Sequence, residues 1–200
     1  MGQLHSAAIE SLSRNPARHF KGAIGNYQRA QKYLGKYVYP YDYGFISFKL
    51  SNLLYDFWRQ KEDLQALRDS VFNLREAEKI FTYALFPEFW ADIEGELGHR
   101  LSILSGLTHN NAIAELAIAA YKNQQKIITE KRDPFAWAAI QENIGNIYYR
   151  LGRETDDRDL LEESLEYFHD ALYIFENMEL TDSAKRLTVS IAKTSDLLIE

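Results

Sequence analysis

The sequence contains no cysteine, and only four prolines and ten glycines interrupt its 200 residues. The lack of cysteine excludes disulfide bonds, thiolate nucleophiles and thiolate metal sites, and it suits the reducing cytosol. Because few residues that end helices are present, and Leu, Ala, Glu, Lys, Gln and Arg dominate the intervals between them, the composition predicts long helices. No stretch approaches 18 uncharged apolar residues, and the first 30 residues hold no apolar run of signal-peptide length. We therefore expect an all-α, cytoplasmic protein.

Charge is distributed unevenly along the chain. Residues 1 to 40 hold six Lys and Arg against one acid, whereas residues 41 to 200 hold 17 against 28, giving net charges of +5 and -11. An acidic body lacks the clustered cations that phosphate binding requires, so no nucleic acid is expected as a partner. The opposite charges leave open a homo-oligomer that forms through the ends of the molecule, although the basic start is more simply a solvated helix face.

The first six residues fit the motif for N-myristoylation at Gly2, with Ser6 at the required position. The motif is short and arises often by chance in chains that begin with Met-Gly. We therefore expect no membrane partner.

An internal repeat of 47 residues organises the sequence. Pro40, Pro87 and Pro134 recur at this spacing. Three further columns keep the same register: an aromatic one (Tyr43, Trp90, Trp137), an apolar one (Leu50, Leu97, Ile144, Ile191) and one of small residues (Ser51, Gly98, Gly145, Ala192). A small residue at a fixed place on a helix lets a neighbouring helix approach closely, so each repeat is expected to contain packed helices.

A second set of columns shows that each repeat holds two helices. These columns are Ile24, Val71, Ile118 and Leu165, then Tyr27, Leu74, Tyr121 and Phe168, then Tyr33, Ile80, Ile127 and Ile174. Their spacing is that of a helix stripe. The predicted helices are 18–35, 41–59, 64–84, 88–104, 111–130, 135–151, 159–178 and 182–199. Asp133 is the expected N-cap before Pro134, and glycines 106 and 152 are expected to end first helices.

The segment Pro134-Phe-Ala-Trp-Ala-Ala-Ile-Gln-Glu-Asn-Ile-Gly-Asn146 resembles the first-helix signature of long tetratricopeptide repeats, as found in bacterial and especially cyanobacterial proteins. Residues 161–175 fit the small, aromatic, small pattern of the second helix. The resemblance implies a right-handed superhelical solenoid of stacked antiparallel helix pairs, spanning residues 1–200. Its parts would be a partial repeat (1–36), three repeats (40–86, 87–133 and 134–180) and a capping or truncated helix (181–200). Because such repeats usually have 34 residues, a length of 47 requires longer helices and a longer loop.

In this family the first helices line a concave groove that binds a peptide or protein. Positions that face away from the apolar stripe are therefore the expected binding residues. They are Phe45, Phe48, Asn52, Tyr55, Asp92, His99, Ser102, Glu142, Asn146, Tyr149, Arg150, Arg186 and Lys193. Relatives that bind chaperone C-terminal carboxylates use lysine in the column of Phe48, Gly95 and Glu142, so that specificity is not implied.

Other candidate sites are weaker. The five histidines show no metal-ligand spacing. Asp156, Asp157 and Asp159 lack the pattern of a calcium loop and are better explained as helix caps. Trp90 and Trp137 repeat with the apolar stripe and are expected in the core. We expect no cofactor and no metal.

The sequence shows no phosphate loop, nucleophile elbow or metal motif, so the leading hypothesis is a non-catalytic protein-binding scaffold and not an enzyme. Two alternatives stay open. The chain could be a recruiting or sensor segment of a larger bacterial signalling or protease protein, or it could be a self-assembling structural module.

Overall fold

A computed structural model describes residues 16–199 of the chain. This range contains helices and no strand, which confirms the all-α prediction. The helices are α1 (Pro16–Leu34), α2 (Pro40–Lys61), α3 (Leu64–Glu78), α4 (Pro87–Thr108), α5 (Asn111–Gln124), α6 (Pro134–Thr155), α7 (Arg158–Asn177) and α8 (Thr181–Ile199). Within the described range, none of them has the length and apolar character needed to cross a membrane. The motif at Gly2 lies outside the described residues.

Helix starts follow the capping signals in the sequence. Helices α2, α4 and α6 each begin at a proline of the 47-residue column, where the missing N–H would have no helical partner. Asp133 caps α6 as predicted, because its carboxylate accepts a hydrogen bond from the backbone N–H of Ala136 at 2.9 Å. Asp157 caps α7 in the same way, which agrees with a capping role for the acidic cluster.

The predicted ends of the first helices were wrong. Helices α4 and α6 continue past Gly106 and Gly152 to Thr108 and Thr155. The residues that leave the helix in the left-handed conformation are His109 and Asp156. At Gly152 a Cβ would lie 2.8 Å from Leu161, so this glycine permits close packing inside the helix instead of ending it.

Two second helices end earlier than predicted. Helices α3 and α5 stop at Glu78 and Gln124, and the apolar residues that follow lie in hydrogen-bonded turns. In these turns the N–H of Phe81 donates to Ala77 O at 2.9 Å, and the N–H of Ile128 donates to Gln124 O at 3.0 Å. The apolar columns of the repeat therefore extend past the ends of both α3 and α5.

The chain divides into two compact units, residues 1–86 and 87–200. In the described part of the first unit, α2 and α3 pack as an antiparallel pair. Ser51 in the middle of α2 donates to Ser70 O at 2.7 Å, and Gly44 near its start faces Ile80 beyond the end of α3. Helix α1 adds Phe20, Ile24 and Tyr27 to the core formed by Leu50, Leu54, Phe57 and Ala66.

One residue of the predicted stripe lies outside this core. Tyr33 is 88% exposed, although Ile174 in the same column is buried. The contact between α1 and α2 is centred about two to four turns earlier, on Phe20, Ile24 and Tyr27, so the end of α1 projects beyond it.

The second unit contains two antiparallel pairs, α4 with α5 and α6 with α7, followed by α8. A Cβ on Gly98 would lie 2.8 Å from the Tyr121 ring, and one on Gly145 would lie 2.7 Å from the Phe168 ring. These distances confirm that the small column lets the second helix approach closely. Helix α8 packs Leu187 against the core that Ala138, Phe168, Ala171, Ile174 and Phe175 form. The superhelical arrangement of the whole chain stays a prediction.

Candidate functional site

The predicted binding row of α6 lies on the side of the helix opposite its buried stripe. Ile140, Ile144 and Leu151 are buried, whereas Asn146 is exposed and Tyr149 is half-buried. With about 100° between successive residues, Glu142, Asn146 and Tyr149 share one side of the helix. Gly145 lies between this row and the buried stripe, and its missing side chain allows the Phe168 ring to pack closely there.

Glu142 joins this row to α8. Its carboxylate accepts two hydrogen bonds from Arg186, from Nε at 3.0 Å and from Nη2 at 2.9 Å. Both bonds raise the pKa of the Arg186 guanidinium above its ordinary value, so the arginine is fully charged. Such a two-point contact fixes the direction of both side chains. It aligns the outward side of α6 with that of α8, which also carries the exposed Lys193.

The sequence matches no family model and no curated protein. The assignment of the helices to repeated pairs therefore rests on the 47-residue spacing in the sequence and on the contacts between the residues that recur at this spacing.

Tyr149 forms the aromatic part of the α6 row. Its ring packs against the core of the second unit on one side, and the guanidinium of Arg153 lies 5.5 Å from the ring centroid. A cation over an aromatic face is attracted by the ring quadrupole, whose negative part lies on the face of the ring. The phenol group and the adjacent amide of Asn146 together offer a ligand both an apolar face and hydrogen-bonding groups.

Arg150 is held by contacts within the second unit. Its Nη2 donates to Ser105 Oγ of α4 at 2.6 Å, and its Nη1 donates to Glu154 at 3.2 Å. Glu154 also lies 3.6 Å from His109, at the end of α4. Arg150 thus links α4 to α6, and a role in ligand binding stays a prediction for this residue.

The row of α4 is acidic at its start. Asp92 follows Glu88 and precedes Glu96 by one turn each. Partial desolvation, and to a smaller extent the negative charges of Glu88 and Glu96, raise the pKa of Asp92 above its ordinary value. Glu88 accepts a hydrogen bond from Arg132 at 2.8 Å, and Glu96 accepts one from Arg100 at 2.8 Å. Asp92 is therefore the carboxylate of this row that a cationic ligand would stabilise most.

His99 and Ser102 continue the same side of α4. His99 is exposed, and Ser102 is half-buried while its carbonyl accepts a hydrogen bond from Ser105 Oγ at 2.7 Å. Within the part of the chain that the structure describes, no group of three or more His, Cys, Asp and Glu side chains could hold a metal ion.

The row of α2 belongs to the first unit and is mainly aromatic. Phe45 is 50% exposed, and Phe48, Asn52 and Tyr55 are half-buried. The ammonium of Lys49 lies 5.1 Å from the ring centroid of Phe45 and 6.0 Å from that of Phe48. Since α2 and the other three rows belong to different units, a groove that combines all four stays a prediction.

Sequence reasoning missed a partly buried polar contact inside each helix pair of the second unit. Glu94 accepts a hydrogen bond from Asn123 at 3.1 Å, and Gln141 donates one to Asp170 at 2.7 Å. These residues keep the 47-residue spacing, with Ser47 and Glu76 at the corresponding positions of the first unit. Two polar columns facing each other at a fixed period were the signal in the sequence. They specify the register of the pair, because a shifted register would bury these groups without partners.

Proposed function

We propose that the chain is a non-catalytic protein-binding scaffold of the tetratricopeptide-repeat type, which holds an extended peptide along the outward side of its first helices. The ion pair between Glu142 and Arg186 carries this proposal, because it aligns the rows of α6 and α8 across two successive repeats. A peptide lying there would contact both helices at once. The lack of cysteine is consistent with function in the reducing cytosol.

The chemistry of the row supports peptide binding. Asn146 has both a donor and an acceptor, which match the N–H and C=O of an extended backbone. Tyr149 is already packed on one side against the core of the second unit, so little conformational entropy is lost when a ligand covers its other side. We expect each lost amide contact to weaken binding by about 0.5–1.5 kcal/mol, and loss of Tyr149 by about 2 kcal/mol or more.

The test is affinity capture of partners with the intact protein and with a triple variant, Asn52→Ala, Asn146→Ala and Tyr149→Ala. We expect the variant to lose partners that the intact protein retains, while circular dichroism shows the same helix content. If the variant retains every partner, binding along the first helices is wrong.

A matched control is available on α7. Glu162, His169 and Tyr173 are exposed polar residues, and Tyr173 is 63% exposed. Replacing these three by alanine should leave all partners bound. Equal losses in both triple variants would show that the effect is not specific to the proposed row.

A further inference from the structure

A second surface lies on another side of α6, where a cavity of about 310 Å³ opens among the end of α5, α6 and α7. Glu163, Glu166 and Asp170 of α7 line it. Their spacing of three and four residues places the three carboxylates on one side of the helix. None of the described residues that line the cavity is basic, so its electrostatic potential favours a cation.

Two aromatic rings form further walls of this cavity, Trp137 of α6 and Tyr167 of α7. Tyr167 is stacked on Tyr148, with ring centroids 5.5 Å apart and planes 18° from parallel. The faces of tryptophan and tyrosine carry negative charge and attract ammonium and guanidinium groups. Aromatic rings beside carboxylates thus provide both an electrostatic and an apolar contact for a long basic side chain.

The position of Lys122 shows that the stacked rings of Tyr148 and Tyr167 attract a positive charge. The ammonium of Lys122 lies 5.9 Å from the Tyr148 centroid and 5.8 Å from the Tyr167 centroid. Lys122 lines the adjoining cavity of about 510 Å³ and not the acidic one. Glu163 lines both cavities, and burial together with a hydrogen bond to Glu163 raises the pKa of Tyr148. Tyr148 therefore remains a neutral phenol.

The floor of the acidic cavity is also fixed. Gln141 is buried, with 5% exposure, and donates a hydrogen bond to Asp170 Oδ2 at 2.7 Å. Its own carbonyl accepts a hydrogen bond from Gln125 at 2.6 Å. This chain orients the Asp170 carboxylate while leaving its second oxygen able to accept from a ligand. A preorganised acceptor reduces the entropy lost when a ligand binds.

We propose that this cavity binds a lysine or arginine side chain presented by a basic peptide segment of a partner protein. The cavity is complementary to such a side chain, because three carboxylates and two aromatic rings line it and none of its described lining residues is basic. Around α6, Trp137 lies about 180° and Gln141 about 140° from Asn146, as the helical repeat requires. This site is therefore independent of the peptide row proposed above, and each can fail without the other.

The test is an NMR titration of the full chain with a short, terminally blocked peptide of alternating arginine and glycine. We expect saturable shifts of the Trp137 indole N–H and of the side-chain amides of Gln125 and Gln141. In the double variant Glu163→Gln and Glu166→Gln, the dissociation constant should rise by about three- to tenfold, because two partly solvated ion pairs are lost. Added salt should weaken binding to the unaltered protein as well.

The control is Glu162→Gln, which removes one negative charge, where the double variant removes two, from an exposed position that does not line the cavity. This variant should bind the peptide as the unaltered protein does. The proposal is overturned if the control weakens binding as much as the double variant, if the shifts appear on the Asn146 side, or if no saturable binding occurs. Spermine offers the same cationic chemistry without a peptide. Equal affinity for spermine would also overturn the assignment to a protein partner.

Discussion

The close contact at Gly145 leads to a prediction whose sign is opposite to the usual effect of the same substitution. Replacing a glycine inside a helix by alanine normally stabilises the helix by about 1 kcal/mol. At Gly145, however, a Cβ would lie 2.7 Å from both Cδ1 and Cε1 of Phe168 and 3.3 Å from the carbonyl oxygen of Ser164. Phe168 is fully buried, so its ring has no free space into which it could move.

The expected cost follows from these distances. Forcing an extra methyl group into a packed core costs about 1–3 kcal/mol, which offsets or exceeds the gain in helix propensity. We therefore expect Gly145→Ala to lower the free energy of unfolding by up to about 2 kcal/mol. Gly145→Leu should be worse, because its larger side chain meets the same buried ring.

Gly106→Ala provides the matched control within the same unit. A Cβ there would meet only Arg150 Nε and Cδ, at 3.8 and 3.9 Å, which are ordinary van der Waals distances. This variant should be stabilised by up to about 1 kcal/mol. Because Gly106 lies in the last turn of α4 and gains at most the helix propensity of an interior position, the difference between the variants is a lower limit for the packing cost of about 1–3 kcal/mol.

Urea denaturation followed by far-UV circular dichroism measures both variants. The midpoints should move in opposite directions, or Gly145→Ala should at least gain none of the stability that Gly106→Ala gains, at unchanged slope. Equal stabilisation of the two variants would refute the contact between Gly145 and Phe168, and with it the register of the repeat.

Three further predictions address the first unit and the charge distribution. The Gln31 side-chain amide donates hydrogen bonds to Ser47 at 2.7 Å and to Asn73 at 3.0 Å. Gln31→Ala should therefore lower the free energy of unfolding by about 1–3 kcal/mol in the same urea assay, and an unchanged midpoint would contradict this. Burial raises the pKa of the Glu76 carboxyl, but hydrogen bonds from Lys79, Lys36 and Tyr43 lower it more, so the net pKa lies below its ordinary value. The stability that this carboxylate contributes is present above about pH 4.5 and is lost as the pH falls through the pKa of the folded state. Glu76→Gln should therefore destabilise the protein more at neutral pH than in acid. An equal effect at both pH values would be inconsistent with the lowered pKa. Finally, the net charges of +5 and -11 predict weak head-to-tail association at low salt, which light scattering would show as a mass that falls when salt is added and which a constant mass would exclude.

The starts of the helices could be predicted because their signals are local. Pro40, Pro87 and Pro134 place the first helices within one residue of the observed starts, and Asp133 caps α6 as expected. Small residues at a fixed period likewise predicted where second helices approach. Both kinds of signal depend only on backbone sterics and on hydrogen bonding within a few residues.

The ends of the helices depend on packing between neighbouring helices, which no local sequence pattern indicates. A glycine near a helix end usually adopts the left-handed cap conformation, yet Gly152 remains helical because Leu161 occupies the space beside it. His109 and Asp156 take the left-handed conformation instead. In the same way, the cation-attracting cavity brings Trp137 of α6 together with Glu163 of α7, and no local pattern indicates that meeting.

The central claim, that a partner lies along the outward side of the first helices, is tested most directly by site-specific photo-crosslinking. A photoreactive amino acid is placed at Asn146 in one preparation and at Glu162, an exposed position on α7, in another. The proposal predicts that partner proteins are covalently captured from position 146 and not from position 162. Capture from position 162 alone would contradict it.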